Sequence, residues 1–249
     1  SKPANMEKAA ELVYKLGFDG IDINMGCPDK SIEKQGCGSA MIKNPALAKE
    51  IILSAKRGGH GFPVSGKTRL GYNTDELETW LPELLSAEPS AITIHARTRK
   101  EMSKVPARWE RVKRAVEIRD ELKSETLILG NGDVLDLDDA KQKVLETGCD
   151  GVMLGRAIFG NPWCFAKDRG EISIQEKLSV MVEHTKLFEE KLSGIKNFAL
   201  MKKHFKSYLS GIEDSHELRL KLMETVNADE VEKTVQDFLV SRLNSKTLS

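Results

Sequence analysis

Short apolar runs bounded by glycine, proline and polar residues alternate, up to about residue 168, with stretches whose apolar positions recur at helical spacing. The runs at 19–24, 62–69, 91–95, 126–130 and 150–154 predict strands. The stretches near 3–16, 44–57, 74–86, 107–123 and 136–147 predict helices. Strands and helices in this alternation are βα units, and βα units build a parallel sheet. Asn44-Pro45 and Thr74-Asp75-Glu76 have the chemistry of helix starts, a capping side chain followed by proline or acids. Pro63 stands at the head of its strand, where a missing N–H is tolerated.

Beyond residue 170 strand-like alternation ends. Ile174, Leu178, Met181, Val182, Thr185, Phe188 and Leu192 recur at helical spacing, as do Phe198, Met201, Phe205 and Tyr208-Leu209. Further helical stretches cover 214–224 and 228–243. These stripes predict a small helical bundle. The boundary is expected near Lys167-Asp168-Arg169-Gly170, dividing an α/β domain, 1–168, from a helical domain, 169–249.

The length of 249 residues accommodates one barrel-sized domain, or a smaller α/β domain with a helical one. Hydrophobic content of 40% and charged content of 31% are those of a soluble globular protein. No apolar run approaches the ~18 residues of a membrane span, and no signal peptide is evident. Cys27, Cys37, Cys149 and Cys164 form no C-x-x-C pair and have no histidines at zinc spacing. Free thiols in a reducing cytoplasm and no metal are therefore expected. Gly36-Cys37-Gly38 lacks the third glycine of a dinucleotide fingerprint. Asp133, Asp136, Asp138 and Asp139 read as the acidic first turn of a helix.

A net charge of zero argues against a general polyanion binder. The charge is nevertheless uneven. Arg97, Arg99, Lys100, Lys104, Arg108, Arg111, Lys113 and Arg114 face only two acids between residues 97 and 114, and Lys202, Lys203, His204 and Lys206 form a second cluster. Such runs are usually solvated helix faces, but two of them leave room for a phosphate-binding surface.

The strand ends carry the chemistry. The first strand ends in Asn24 and leads through Met25-Gly26 to Cys27, with Pro28 stopping the strand. A cysteine there is either a small buried hydrophobe or a reactive thiol at the rim where barrel enzymes work. The second strand carries Lys67, Thr68 and Arg69, and the third ends in His95 and runs on to Arg97 and Arg99. The fourth ends in Gly130-Asn131-Gly132-Asp133 and the fifth in Gly155-Arg156. Loops after the last two strands of a barrel commonly hold a phosphate. Glycines there let backbone N–H groups approach an anion, and Arg156 adds a charged fork.

In order and spacing, Asn24-Met25-Gly26-Cys27-Pro28, Gly36-Cys37-Gly38-Ser39-Ala40, Lys67-Thr68-Arg69-Leu70-Gly71, His95-Ala96-Arg97-Thr98-Arg99, Gly130-Asn131-Gly132-Asp133 and Gly155-Arg156-Ala157 resemble the tRNA-dihydrouridine synthases. The segment Met201–Tyr208 is similar to their bacterial B-type branch. The resemblance implies an FMN-dependent TIM barrel with a helical tRNA-binding domain behind it. Specific uridines in tRNA would be reduced with NADPH as reductant. Cys27 matches the catalytic cysteine, which would protonate C5 while hydride reaches C6. Lys67 and His95 would contact the flavin, with Asn24 facing flavin or base. Gly130, Asn131, Gly132, Gly155 and Arg156 would hold the flavin phosphate. Arg97 and Arg99, with Lys202, Lys203 and Lys206, would meet tRNA. A monomer without an obligatory protein partner is the simplest expectation.

Gly66 and Ser103 depart from the family pattern, which has a β-branched residue and an aromatic at those places. Because the family places three strands ahead of the one that leads to Cys27, the chain is expected to hold about five of the eight βα units of a (β/α)8 barrel. Such a sheet stays open, and the chain alone is expected to hold FMN weakly or not at all and to tend to aggregate. Two other readings are another flavin-dependent barrel reductase acting on pyrimidines and an inactive RNA-binding remnant.

Overall fold

The computed structural model describes residues 1–166 and 170–247, with side chains as far as residue 243. It divides into two compact units, Ser1–Arg156 and Ala157–Ser249. The boundary expected at residue 168 lies outside the described residues.

The first unit is built on one parallel sheet of five strands, β1 (Ile21–Asn24), β2 (Val64–Arg69), β3 (Ala91–His95), β4 (Leu127–Asn131) and β5 (Gly151–Met153). Their spatial order is their chain order, with no reversal. Between them run α1 (Pro3–Lys15) ahead of β1, α2 (Lys30–Glu33) and α3 (Pro45–Gly58) before β2, α4 (Leu77–Leu85), α5 (Trp109–Glu121) and α6 (Leu137–Thr147). The expected strands and helices stand, most of them trimmed at their ends, with α3 reaching Gly58 and β4 reaching Asn131. Pro63 opens β2 as anticipated: it lacks an N–H, but its carbonyl accepts from the Ile21 N–H at 3.0 Å. Asn44 caps α3, its side chain accepting from the Leu47 N–H. Asp136 caps α6 by accepting from the N–H groups of Asp138 and Asp139.

Successive residues of a strand point to opposite faces. The two faces of this sheet differ sharply. One carries Ile23, Val64, Ile92, Ile94 and Ile128, all buried, in a core shared with Trp80 and Leu81 of α4 and Val112 of α5. Gly66 lies on that face, where a Cβ would come within 3.2 Å of the Ile92 side chain and 3.4 Å of Met25. A side chain at Gly66 would press first on Ile92 of the neighbouring strand. The opposite face carries Asp22 and Asn24, Lys67 and Arg69, Thr93 and His95, and Asn131, with Leu127, Leu129 and Met153 on its β4 and β5 side.

Between β1 and α3 lie α2 and the 3₁₀ turn Gly38–Lys43, which have no counterpart in the periodicity. Each is too brief to show a repeating stripe.

The second unit holds α7 (Ile174–Leu192), α8 (Met201–Tyr208), α9 (His216–Glu224) and α10 (Ala228–Thr247). Its core gathers Leu178, Met181, Phe205, Leu222 and Val231. No helix among the described residues is long and apolar enough to cross a membrane.

Candidate active site

Register fixes which polar groups meet at the C-terminal rim of the sheet. Asn24 pairs with Lys67, while Arg69, His95, Asn131 and Met153 form one row across four strands. Four parallel strands thus aim polar side chains from one face.

The chain leaves β1 through a turn that Asn24 makes with its own side chain. Asn24 Oδ1 accepts from the N–H groups of both Gly26 and Cys27, each at 3.0 Å. The asparagine expected to face a ligand therefore shapes the loop that carries the thiol. Arg69 Nε donates to the Gly26 carbonyl at 2.7 Å from the neighbouring strand. Cys27 itself is half-buried. Its carbonyl accepts from the Ser39 N–H at 2.9 Å, and Ser39 Oγ lies 2.8 Å away. The motif Gly36–Ser39 works here as backing: Gly38 has φ 59°, and a Cβ on it would sit 2.7 Å from the Cys27 carbonyl oxygen.

His95 and Arg97 occupy the centre. Arg97 is buried, donates from Nε to the Val105 carbonyl at 2.6 Å, has Nη1 3.1 Å from His95 Nε2, and pairs with Asp133. Burial, and then the charges of Arg69, Lys67 and Arg97, push the His95 pKa down to about 3, opposed only by Asp133. His95 is therefore neutral at physiological pH. Lys67 is also held below the ordinary lysine value, by burial first and Arg69 second, against a pull from Asp22. Among the described residues Lys67 has no ion-pair partner. The rim has more cations than anions to balance them.

Asp133 is the residue that sequence reasoning misplaced. It lies outside α6, at φ 54°, and its carboxylate accepts from Arg97, from Arg156 Nη2 at 2.7 Å and from the Ala107 N–H at 2.9 Å. The Arg97 bond comes first among the influences that hold its carboxyl below the usual range. Nothing in the run of aspartates separates it from the helix-capping acids, because its partners lie 26 and 36 residues away at Ala107 and Arg97.

The loop glycines divide. A Cβ on Gly130 would fall 2.2 Å from the Trp109 ring, so this glycine makes room for a core tryptophan. Gly132 has φ 127° and carries the carbonyl that accepts from Trp109 Nε1 at 2.9 Å. Asn131 Nδ2 donates to the Met153 carbonyl, tying β4 to β5. Around Gly155 there is open space, and the Arg156 side chain is 70% exposed.

The basic stretch 97–114 is mostly neutralised. Arg99 pairs with Glu33, Arg108 with Glu101, Arg111 with Asp75 and Glu78, and Arg114 with Glu78, Glu117 and Glu121. Arg97 and Arg99, expected to meet RNA, direct their guanidinium groups into the protein. Lys100, Lys104 and Lys113 remain exposed. In the second unit Lys202 is half-buried and donates to the Met223 carbonyl near the end of α9, while Lys203 and Lys206 on α8 are exposed. Among the described residues no group of three or more His, Cys, Asp and Glu is placed to hold a metal ion.

Residues 1–243 match the family model described as Dihydrouridine synthase (Dus). A probable tRNA-dihydrouridine synthase 2 of Bacillus subtilis (strain 168) is 41% identical over 239 residues, which is 95% of this chain and 73% of that protein. A probable tRNA-dihydrouridine synthase of Staphylococcus aureus (strain MRSA252) is 40% identical, over 95% of this chain and 72% of its own length. Among solved structures, a 2,3-dimethylmalate lyase of the PEP mutase/isocitrate lyase superfamily aligns at a TM-score of 0.47 with 14% identity, over 87% of each chain. With nearly its whole length matched by the family model and by these bacterial relatives, the chain belongs to the dihydrouridine synthases, a family of oxidoreductases.

Proposed function

We propose that this chain carries the proton-donating and flavin-holding rim of an enzyme that reduces uridines in tRNA to 5,6-dihydrouridine, with FMN as cofactor and NADPH as reductant. The observation that carries the reading is that the loop bearing a half-buried thiol, tied to Arg69 through the Gly26 carbonyl, leaves the same C-terminal rim where Lys67, Arg69 and Arg97 surround a neutral His95.

The architecture supports it. Strands in unreversed order, with an apolar face packed on helices and a polar face opposite, are a wall of a (β/α)8 barrel; a doubly wound sheet reverses its order. The polar face is then the barrel interior, and the strand C-termini are its catalytic rim.

The residues fit a flavin mononucleotide. Lys67, with no carboxylate paired to it among the described residues, suits an electron-rich ring. Arg156, largely exposed beside the open space at Gly155, suits a phosphate. Asn131, Gly130 and Gly132 contribute by shaping β4 and its loop. Bound FMN, re-reduced by NADPH, would supply the hydride that adds to C6 of uridine.

The chain's own residues do the rest. Cys27 Sγ–H gives its proton to C5 as negative charge develops there, and the thiolate regains a proton from solvent. A cysteine thiol holds its proton at neutral pH yet yields it to a carbon-centred base. Asn24 and Arg69 hold the Cys27 loop against β2. Uracil must leave its stack to reach this rim. The exposed lysines Lys100, Lys104, Lys203 and Lys206 meet the tRNA phosphates.

In flavin-loaded protein, Cys27→Ala is expected to keep FMN and its reduction by NADPH while uridine reduction, followed by mass spectrometry of the tRNA, falls roughly 10²-fold or more. Dihydrouridine formed at the parent rate would end the assignment.

A further inference from the structure

We infer that Glu33 is a positioning residue for Cys27, a role that rests on reading Cys27 as the proton donor. Glu33 closes α2, an element invisible to periodicity, and its side chain is only 10% exposed. It accepts from Arg99 Nε at 2.8 Å and from Arg99 Nη2 as well, a two-pronged pair across 66 residues of sequence. The Tyr72 ring lies 5.1 Å from the Arg99 guanidinium carbon. Ser39 has one hydroxyl proton, which it gives to Glu33 Oε1 at 2.7 Å, while its N–H donates to the Cys27 carbonyl at 2.9 Å.

The connection therefore runs from the loop after β3, which follows His95 and Arg97, through Arg99, Glu33 and Ser39 to the backbone of the thiol. Burial alone would push the Glu33 carboxyl up; the hydrogen bonds from Arg99, Ser39 and Tyr72 outweigh it and hold the group below the ordinary glutamate value. Glu33 thus stays ionised, and its charge fixes Arg99. A planar guanidinium meeting a carboxylate with two bonds sets direction as well as distance. Asn24 sets the start of the Cys27 loop, and Glu33 sets its far side.

The test uses two readouts on the parent, Glu33→Gln and Glu33→Ala. In the first, Cys27 is alkylated with iodoacetamide and the rate is read by peptide mass spectrometry, with buried Cys149 of the same unit as reference. Losing the carboxylate is expected to raise the Cys27 rate roughly threefold or more, the alanine variant beyond the glutamine one, while Cys149 stays protected. In the second, stopped-flow absorbance of the flavin-loaded protein should show NADPH-driven reduction unchanged and tRNA-driven reoxidation slowed roughly tenfold or more. A smaller rise at Cys27, a parallel rise at Cys149, or equal slowing of both half-reactions would overturn the inference. If Cys27→Ala still reduces uridine while Glu33→Gln still frees the thiol, the positioning stands and the catalytic reading of Cys27 fails.

Discussion

Between residues 97 and 114 the chain places eight basic side chains, and between 202 and 206 three lysines and a histidine. As strings of letters the two stretches look alike. Folded, the first is turned inward: its arginines meet Asp133, Glu33, Asp75 and Glu78 from other parts of the chain, and Glu101 of the same stretch. The second keeps Lys203 and Lys206 in solvent and gives up only Lys202 to a backbone carbonyl. Residue type explains much of the difference. Arginine's rigid fork suits partly buried pairing with carboxylates, whereas lysine's hydrated point charge stays outside. Charge density along a sequence therefore measures neither exposure nor availability to a polyanion.

The largest break in that comparison is expected at Arg97. Arg97→Ala leaves the Val105 carbonyl without its donor and Asp133 with only Arg156 and the Ala107 N–H, and is expected to cost about 2–4 kcal/mol, the half-exposed acid keeping the loss below that of a fully buried pair. Urea unfolding of the parent and the variant measures it. A loss under about 1 kcal/mol would place Arg97 with the exposed pairs.

A smaller effect, of a different kind, is expected from the second stretch. Lys203→Ala with Lys206→Ala should leave the melting temperature unchanged and weaken tRNA binding about tenfold near physiological salt, flattening the log–log salt slope by roughly 0.7–0.9 for each phosphate no longer neutralised. Lys202→Ala should do the reverse, lowering stability by about 0.5–1 kcal/mol through removal of its bond to Met223, with little change in slope. Filter binding across a salt series separates the two; equal slopes for the double variant and the parent would refute the assignment.

The finest test concerns what the inward cations do to His95. Its folded pKa is depressed from 6.5 to about 3. Below pH 6.5 the unfolded chain takes up a proton that the folded chain refuses, so His95 withdraws stability as pH falls from about 6.5 towards 3. His95→Gln should make stability less steep across that window and leave it unaltered above pH 7.5 or so. Denaturant midpoints at successive pH values show it, and parallel pH profiles for the variant and the parent would contradict the depressed value.

The strands were legible because each is a short β-rich run with glycine or proline at one end or the other, and Cys27 was legible because it stands just past such a run with Pro28 behind it. Asn24, Lys67, His95 and Asn131 were found as strand-end polar groups, and parallel register does bring them to one rim. Their individual duties were less legible. Asn24 turned out to bend its own loop, and Gly130 to admit Trp109. Glu33 and Asp133 were missed because each meets an arginine remote in sequence, and Ser39 because nothing local marks its bond to the Cys27 carbonyl. No local pattern marks an acid whose arginine lies 66 residues away.

By itself the sequence determined the alternation of strands and helices, the change to helices alone after residue 170, and the placing of one cysteine at a strand end. These depend on local spacing, on proline and glycine, and on apolar period, all of which a linear chain displays. Only the tertiary structure decided which cations are consumed and which stay free, that Asp133 bridges two arginines, and that the Cys27 loop is held from Glu33. Those outcomes depend on distances between side chains far apart in sequence, which exist only once the strands have paired and their ends share one rim.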